Sequence, residues 1–371
     1  MIKRFFTHLA AISLLVTGCA GAPKRVTGIP TGGFADNSQP TTATATSMTL
    51  WFGTDRVPVA SDRGVSFTTD QTGLMYGRCE VTLPPSPCRG VIELPSWCRP
   101  EDGTVPVKEF LIRKSVVMTA SDFSRALEQG SRGETFLFVH GFNVSFKNAA
   151  LTTARMAHDL RLAREPLMYC WASKESVIQY NADENAVQNT RPRFEAFLER
   201  VLATGSAEKV HLIAHSMGTR ALTETLRIMG EKGADLSRVG QVVLLAADMD
   251  ALYFQEQLYA KICNVGDGFI IYSSSKDLAL KASSAVAGSL PRLGQAGEKL
   301  TLMDGMTTVD ASFCADDCTL CHSLSGIPCV LNDLYLMLNR KLKPKDRLMD
   351  RKNVSGTGRS FYQLYDINCG Q

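Results

Sequence analysis

From Thr135 onward the sequence takes turns between short apolar runs and longer amphipathic stretches, and few architectures accommodate that rhythm. Residues 135–139, 166–171, 210–214, 241–246 and 269–273 are nearly continuous apolar segments of strand length. Strands covered on both faces read this way. Between them, Ala150, Ala154, Ala157 and Leu160 mark a helix over 148–162. Phe194, Phe197, Leu198, Val201 and Leu202 fall at i, i+3, i+4, i+7 and i+8, the apolar face of another. Residues 217–230 predict a third helix, 300–303 a further strand, and 330–342 a closing helix. Strands alternating with helices imply an α/β domain, a mostly parallel sheet with helices on both faces. A small N-terminal β extension precedes it, with a short strand over 48–52 and others over 74–110. Ser121 is expected to cap a short helix carrying Phe123, Ala126 and Leu127. The tail after Lys343 is polar and basic and reads as a solvated extension.

The first residues carry a different signal. Met1-Ile2-Lys3-Arg4 is a short basic segment, and residues 5–16 are mostly apolar. That run is too short to span a bilayer, which takes about 20 helical residues; it fits an export signal removed on secretion. It ends Leu15-Val16-Thr17-Gly18-Cys19-Ala20, which resembles the lipobox of bacterial lipoproteins. The resemblance implies cleavage before Cys19 and acylation of Cys19, with each buried methylene adding about 0.8 kcal/mol of membrane affinity. The stretch that follows, rich in Thr, Gly, Ala and Pro, has no apolar periodicity and reads as a flexible tether. The expected organisation is a lipoprotein signal peptide over 1–18, a tether over 19–47, the α/β domain over 48–342 and the polar extension over 343–371. Such a chain would sit in the bacterial cell envelope, facing the periplasm and held to a membrane through Cys19. A net charge of +3 over 371 residues, with no basic stripe interleaved with aromatics, argues against nucleic acid as a partner.

The most specific chemistry lies in His211-Leu212-Ile213-Ala214-His215-Ser216-Met217-Gly218. A strand passes straight into a helix, with Ser216 at the junction and small residues two before and two after it. A serine on such a turn is lifted above the sheet, and only small neighbours let strand and helix approach so closely. Ala214 stands where the usual G-x-S-x-G pattern has its first glycine. His215 is a poor base for Ser216, because neighbouring side chains on a tight turn diverge; wall packing is its expected role. Acyl transfer also needs donors aimed at a developing oxyanion. One is the N–H after the serine, that of Met217. The other is expected from residues 138–143, where an apolar strand ends in His140-Gly141: the Phe142 N–H, with His140 and Asn143 as braces.

A general base has to come from six histidines. His8 lies in the signal, His158 within a helix and His211 at the start of the serine's strand. His322 alone satisfies the chain order serine, acid, histidine, and it lies in a loop before the last helix. The acid should end a strand between the two. Asp277, after 269–273, is preferred because the later strand carries the acid in most enzymes of this architecture. Asp248 and Asp250, after 241–246, compete with it, and Asp304 and Asp310 are more distant options.

These residues resemble bacterial α/β-hydrolases of the esterase/lipase superfamily, many of them exported and long classed as of unknown function. The likeness runs through Trp51-Phe52-Gly53-Thr54-Asp55-Arg56, Leu74-Met75-Tyr76-Gly77-Arg78, His140-Gly141-Phe142-Asn143, Trp171-Ala172-Ser173 and Ala214-His215-Ser216-Met217-Gly218. It continues through Ser275-Lys276-Asp277-Leu278-Ala279-Leu280 and His322-Ser323. The family usually has Pro at the place of Ala172 and Gly at that of Cys321, and neither departure removes a reacting group. The resemblance implies an α/β-hydrolase fold, supports Ser216 and His322, and tilts the acid toward Asp277. It implies ester-bond chemistry in general and names no substrate; the Ser216, His322 and acid set predicts an acyl-enzyme, with a small-molecule or lipid ester as the expected substrate and no cofactor or metal expected. The short gap from Asp250 to Phe269 leaves no room for a large lid and leans toward small or exposed acyl groups. The competing reading is a non-catalytic envelope lipoprotein that keeps the fold as a binding or structural module; an intact Ser216, His322 and Asp277 set argues against it.

Eleven cysteines less Cys19 leave ten, which in an oxidising compartment read as a disulfide framework. Cys79, Cys88 and Cys98 form one cluster, and Cys314, Cys318, Cys321 and Cys329 another around His322; Cys170, Cys263 and Cys369 stand apart. Two disulfides are expected to staple the loop that presents His322. Cys314-x3-Cys318-x2-Cys321 also matches an iron–sulfur spacing, and zinc could take these thiolates, but ligation by His322 would remove the base.

Overall fold

The computed structural model describes residues 46–83, 110–205, 207–314 and 322–365. Cys19, the export signal and nearly all of the tether lie outside them, as do most of the strands expected over 84–110. In chain order the strands are β1 (Thr46–Ser61), β2 (Gly64–Leu83), β3 (Leu111–Met118), β4 (Gly133–Val139), β5 (Leu167–Cys170) and β6 (Ala207–His215). β7 (Val239–Leu245), β8 (Gly268–Ser273), β9 (Met306–Phe313), β10 (Met349–Asn353) and β11 (Ser360–Tyr365) follow. They form one sheet in the order β10-β11-β9-β8-β7-β6-β4-β5-β1-β2-β3. All neighbours from β11 through β1 run parallel, and antiparallel strands close each end: β2 and β3 beyond β1, and β10 beyond β11.

The helices that matter here are α1 (Ala120–Glu128), α2 (Phe146–Leu160), α3 (Tyr180–Asn189), α4 (Arg191–Ala203), α5 (Gly218–Glu231), α6 (Leu278–Val286) and α7 (Pro328–Leu338). They cover both faces of the sheet, as the alternation of elements led one to expect. Leu137 and Val139 of β4 and Leu212 and Ala214 of β6 pack with Phe194, Phe197 and Leu198 of α4 and Leu222 and Leu226 of α5. Phe136, Phe138 and Ile213 point the other way, into a layer with Met156 and Leu160 of α2 and Val330 and Leu334 of α7. Burial on both sides is the reason these strands carry no polar alternation. Each such side chain contributes about 1.5–3 kcal/mol of transfer free energy.

Four expectations are corrected. Ser121 does not cap α1; Thr119 does, its hydroxyl accepting from the Asp122 N–H at 3.1 Å, which places Ser121 in the first turn. Residues 300–303 are not a strand. Gly305 turns the chain at a positive φ of 81°, and pairing with β8 begins only at Met306. The strand over 48–52 is the middle of a long hairpin that stays paired with β2 from Thr46–Leu83 to Ser61–Gly64. The segment after Lys343 is no solvated extension. Arg347 is buried against Asp333 (3.0 Å), and β11 adds to β9 with Tyr362 opposite Val309 and Leu364 2% exposed. Its polar reading comes from β10, an edge strand whose side chains are mostly exposed. Among the described residues no helix is long and apolar enough to cross a membrane.

Candidate active site

Ser216 occupies the turn between β6 and α5 with φ at 53°, a left-handed conformation costly for any residue with a side chain. The turn is held by the Ser216 N–H donating to Leu245 O (2.9 Å) and by its carbonyl accepting from the Thr219 N–H (3.1 Å) and hydroxyl (2.6 Å). The small neighbours are needed for space. A Cβ on Gly218 would stand 2.3 Å from the His140 carbonyl oxygen, and one on Gly141 would stand 2.7 Å from Ser216 Cβ. Loop 140–145 therefore passes directly against the serine.

Three side chains distant in sequence meet above this turn. His322 Nε2 lies 2.7 Å from Ser216 Oγ, and His322 Nδ1 lies 2.7 Å from Asp277 Oδ2. Asp277 follows β8 and is fully buried. Its other oxygen caps α6, accepting from the Leu280 N–H at 2.8 Å, which fixes the carboxylate's orientation toward His322. Burial alone would lower the His322 imidazole, but the Asp277 charge and hydrogen bond, helped by Asp248, raise it above its ordinary 6.5. Asp250 caps the short helix after β7 through the Tyr253 N–H (2.8 Å), and Asp310 accepts from the Ser312 N–H (2.9 Å). Asp304 offers its carbonyl to Tyr259, and Asp248 is engaged in a separate cluster. Of the five candidate acids, Asp277 is the one bonded to His322.

His215 does more than pack. Its Nε2 lies 2.8 Å from the His322 carbonyl, and burial with the neighbouring His322 pushes it down to about 3. The neutral ring thus donates to the backbone of His322. His211, midway along β6, bonds Glu134 (2.9 Å).

The Phe142 and Met217 N–H groups, the two expected oxyanion donors, have no hydrogen-bond acceptor among the described residues. The loop carrying Phe142 is heavily braced. His140 stacks on Trp171 (5.0 Å), and the Trp171 Nε1–H donates to the His140 carbonyl (2.8 Å). Asn143, with φ at 57°, donates through its backbone N–H to Asp183 (3.3 Å), which also takes the Ser173 hydroxyl (2.6 Å) and the Lys174 N–H (2.6 Å). The buried Arg56 guanidinium ties the Val144 (2.7 Å) and Trp171 (3.0 Å) carbonyls together. Sequence reasoning gave Arg56 no role beyond a shared motif and missed Asp183 altogether. The available signal was a charged Asp55-Arg56 pair inside an otherwise apolar strand.

Cys314 and Cys329 form a disulfide across a separation of 15 residues that brackets His322. Cys318 and Cys321, the other expected staple, lie outside the described residues. Cys79 and Cys170 are buried free thiols, and Cys263 is free and partly exposed, so the disulfide framework does not extend to these three. Cys79 on β2 and Cys170 on β5 lie in one packed core cluster, and Cys263 ends a short helix after β7. The described residues contain no cluster of His, Cys, Asp or Glu suited to a metal ion.

A model of α/β hydrolases of unknown function (DUF900) matches residues 116–325, more than half of the chain. No curated protein matches the sequence. Among solved structures, a hyperthermophilic esterase from Pyrobaculum calidifontis is 8% identical over 91% of this chain and 90% of its own, with a TM-score of 0.34. A monoclinic form of the esterase from that organism is 9% identical over 69% and 74%, at 0.30. A Rhizomucor miehei structure, from an account of two fungal esterases, is 12% identical over 77% and 80%, at 0.31.

Proposed function

Since the chain belongs to the family of α/β hydrolases of unknown function DUF900, we propose that it is a serine hydrolase cleaving ester bonds through an acyl-enzyme on Ser216. The observation that carries the reading is the continuous run from Asp277 through His322 to Ser216, with 2.7 Å at each contact. In this reading His322 Nε2 takes the Ser216 proton as Oγ attacks the ester carbonyl. Asp277 keeps the proton on Nδ1 and stabilises the imidazolium that forms. The Phe142 and Met217 N–H groups receive the oxyanion. His322 then returns the proton to the leaving alkoxide, and water repeats the cycle on the acyl-enzyme.

The substrate is a small-molecule or lipid ester. Its setting is the bacterial envelope, with the chain exported and acylated on Cys19. The test is labelling by a fluorophosphonate, which reacts with an activated serine. Wild type should label and hydrolyse p-nitrophenyl esters, and Ser216→Ala should take no label and lose at least about 1000-fold in kcat. Equal labelling of both proteins, or none of the folded wild type, would return the chain to the non-catalytic reading.

A further inference from the structure

A second carboxylate lies beneath the Ser216 turn, outside the run from Asp277 to Ser216. Asp248 follows β7, is 3% exposed, and donates its own N–H to the Ser216 carbonyl (3.2 Å). Its Oδ2 accepts from the Tyr180 hydroxyl (2.7 Å) and its Oδ1 from Ser283 Oγ (2.6 Å). Arg220 and Arg292 each stand 3.5 Å from Oδ1. Arg220 also reaches the Asp248 carbonyl (2.5 Å), the Tyr180 oxygen (3.0 Å) and Glu184 (2.7 Å). Two carboxylates therefore balance two guanidiniums. Such a cluster is a poor investment for stability alone, because desolvation offsets most of its attraction and apolar packing would serve as well.

What the cluster joins gives it a purpose. Tyr180 packs against Phe142 with ring centres 5.3 Å apart. Ser283 belongs to α6, the helix that Asp277 caps. The Asp248 N–H holds the Ser216 turn. One residue thus reaches all three segments that bring Phe142, Ser216 and Asp277 together, through its carboxylate to Tyr180 and Ser283 and its backbone N–H to Ser216.

The geometry points to Asp248 as a positioning residue for the hydrolysis: it locks these three loops in register. This assignment rests on the serine-hydrolase reading. The groups facing Asp248 are Tyr180 and Glu184 from α3, Arg220 from α5, Ser283 from α6 and Arg292 from the segment returning after α6. Those facing His322 are Asp277, Ser216 and the neutral His215, with Asp248 acting at longer range. Burial would raise the Asp248 carboxyl, but Arg220, Ser283, Arg292 and Tyr180 together hold it below the ordinary carboxylate value. It is therefore charged wherever His322 titrates.

Asp248→Asn keeps the shape and removes the charge. Fluorophosphonate labelling of Ser216 should slow about tenfold, and the acid limb of labelling rate against pH should fall by about half a unit, since losing a negative charge disfavours the imidazolium. Tyr180→Phe keeps both the ring on Phe142 and the charge, so labelling should slow about threefold with the acid limb unmoved. A folded Asp248→Asn protein with the wild-type rate and acid limb overturns the assignment. Should that variant fail to fold, Tyr180→Phe and Ser283→Ala decide, and wild-type rates in both overturn it. A wild type that takes no label fails the hydrolase reading itself, a result distinct from a labelled wild type whose variants match it.

Discussion

Asp277 serves two partners, the His322 imidazole through one oxygen and the first turn of α6 through the other. Its substitutions should separate those duties. Asp277→Asn keeps an acceptor for the Leu280 N–H but loses the charge, and kcat should drop about 10⁴-fold with little change in melting temperature. Asp277→Ala should also lose the cap, about 1 kcal/mol of stability, seen as a lower melting temperature. The sign of the pH effect follows from the same bond. His322 must be neutral to accept a proton, and Asp277 raises its pKa, so kcat/KM in wild type should begin to fall at a pH above 6.5 and keep falling as pH drops. The serine and histidine were legible in the sequence because a tight strand–helix turn and chain order leave one choice each. The acid was legible only as a preference for Asp277, because Asp248 and Asp250 also follow a strand beside the site. Only the fold shows that Arg220, Arg292, Tyr180 and Ser283 already occupy Asp248.

At the scale of single elements, the strand–helix turn and the His322 segment make the sharpest claims. Gly218→Ala would drive a Cβ into the His140 carbonyl, backbone against backbone. It should cost a few kcal/mol and most of the labelling, because neither chain can yield without moving Ser216. Gly230→Ala in the same helix meets nothing within 4 Å and should raise stability by up to about 1 kcal/mol with labelling unchanged. Thermal melts of the two variants check both. The Cys314–Cys329 link restrains the segment bearing His322, and closing a loop of that length is worth about 3 kcal/mol. Paired Cys314→Ser and Cys329→Ser, or a thiol reductant, should lower both melting temperature and labelling rate. Helices were legible where apolar spacing was regular, as in α4. β9 was misplaced because Thr307, Thr308, Asp310 and Ser312 interrupt it, and Ser312 and Asp310 bond each other locally rather than announce a strand.

Across the described residues, antiparallel strands close each end of the parallel part of the sheet, with the largely exposed, polar β10 as the edge on the β9 side. A chain ending at Leu342 should therefore aggregate or melt well below the full chain. It would bare β9, lose Leu364 from the core, and strip Arg347 from the buried Asp333, which Tyr272 also holds at 2.5 Å. Size-exclusion chromatography and a melt of the two lengths would show it. The central parallel strands were legible because burial on both faces leaves an apolar run; β10 was not, because an edge needs little apolar surface, and β11, between β10 and β9, is mostly half-buried and has no continuous apolar run. The direction of β1 has a practical result. It runs parallel to β5, so Thr46 begins at the border of the sheet from which the strands start, and Ser216 stands at the border where they finish. A support or surface coupled ahead of Thr46 would hold the domain by its heel, leaving the Ser216 hydroxyl free to meet molecules arriving from solution.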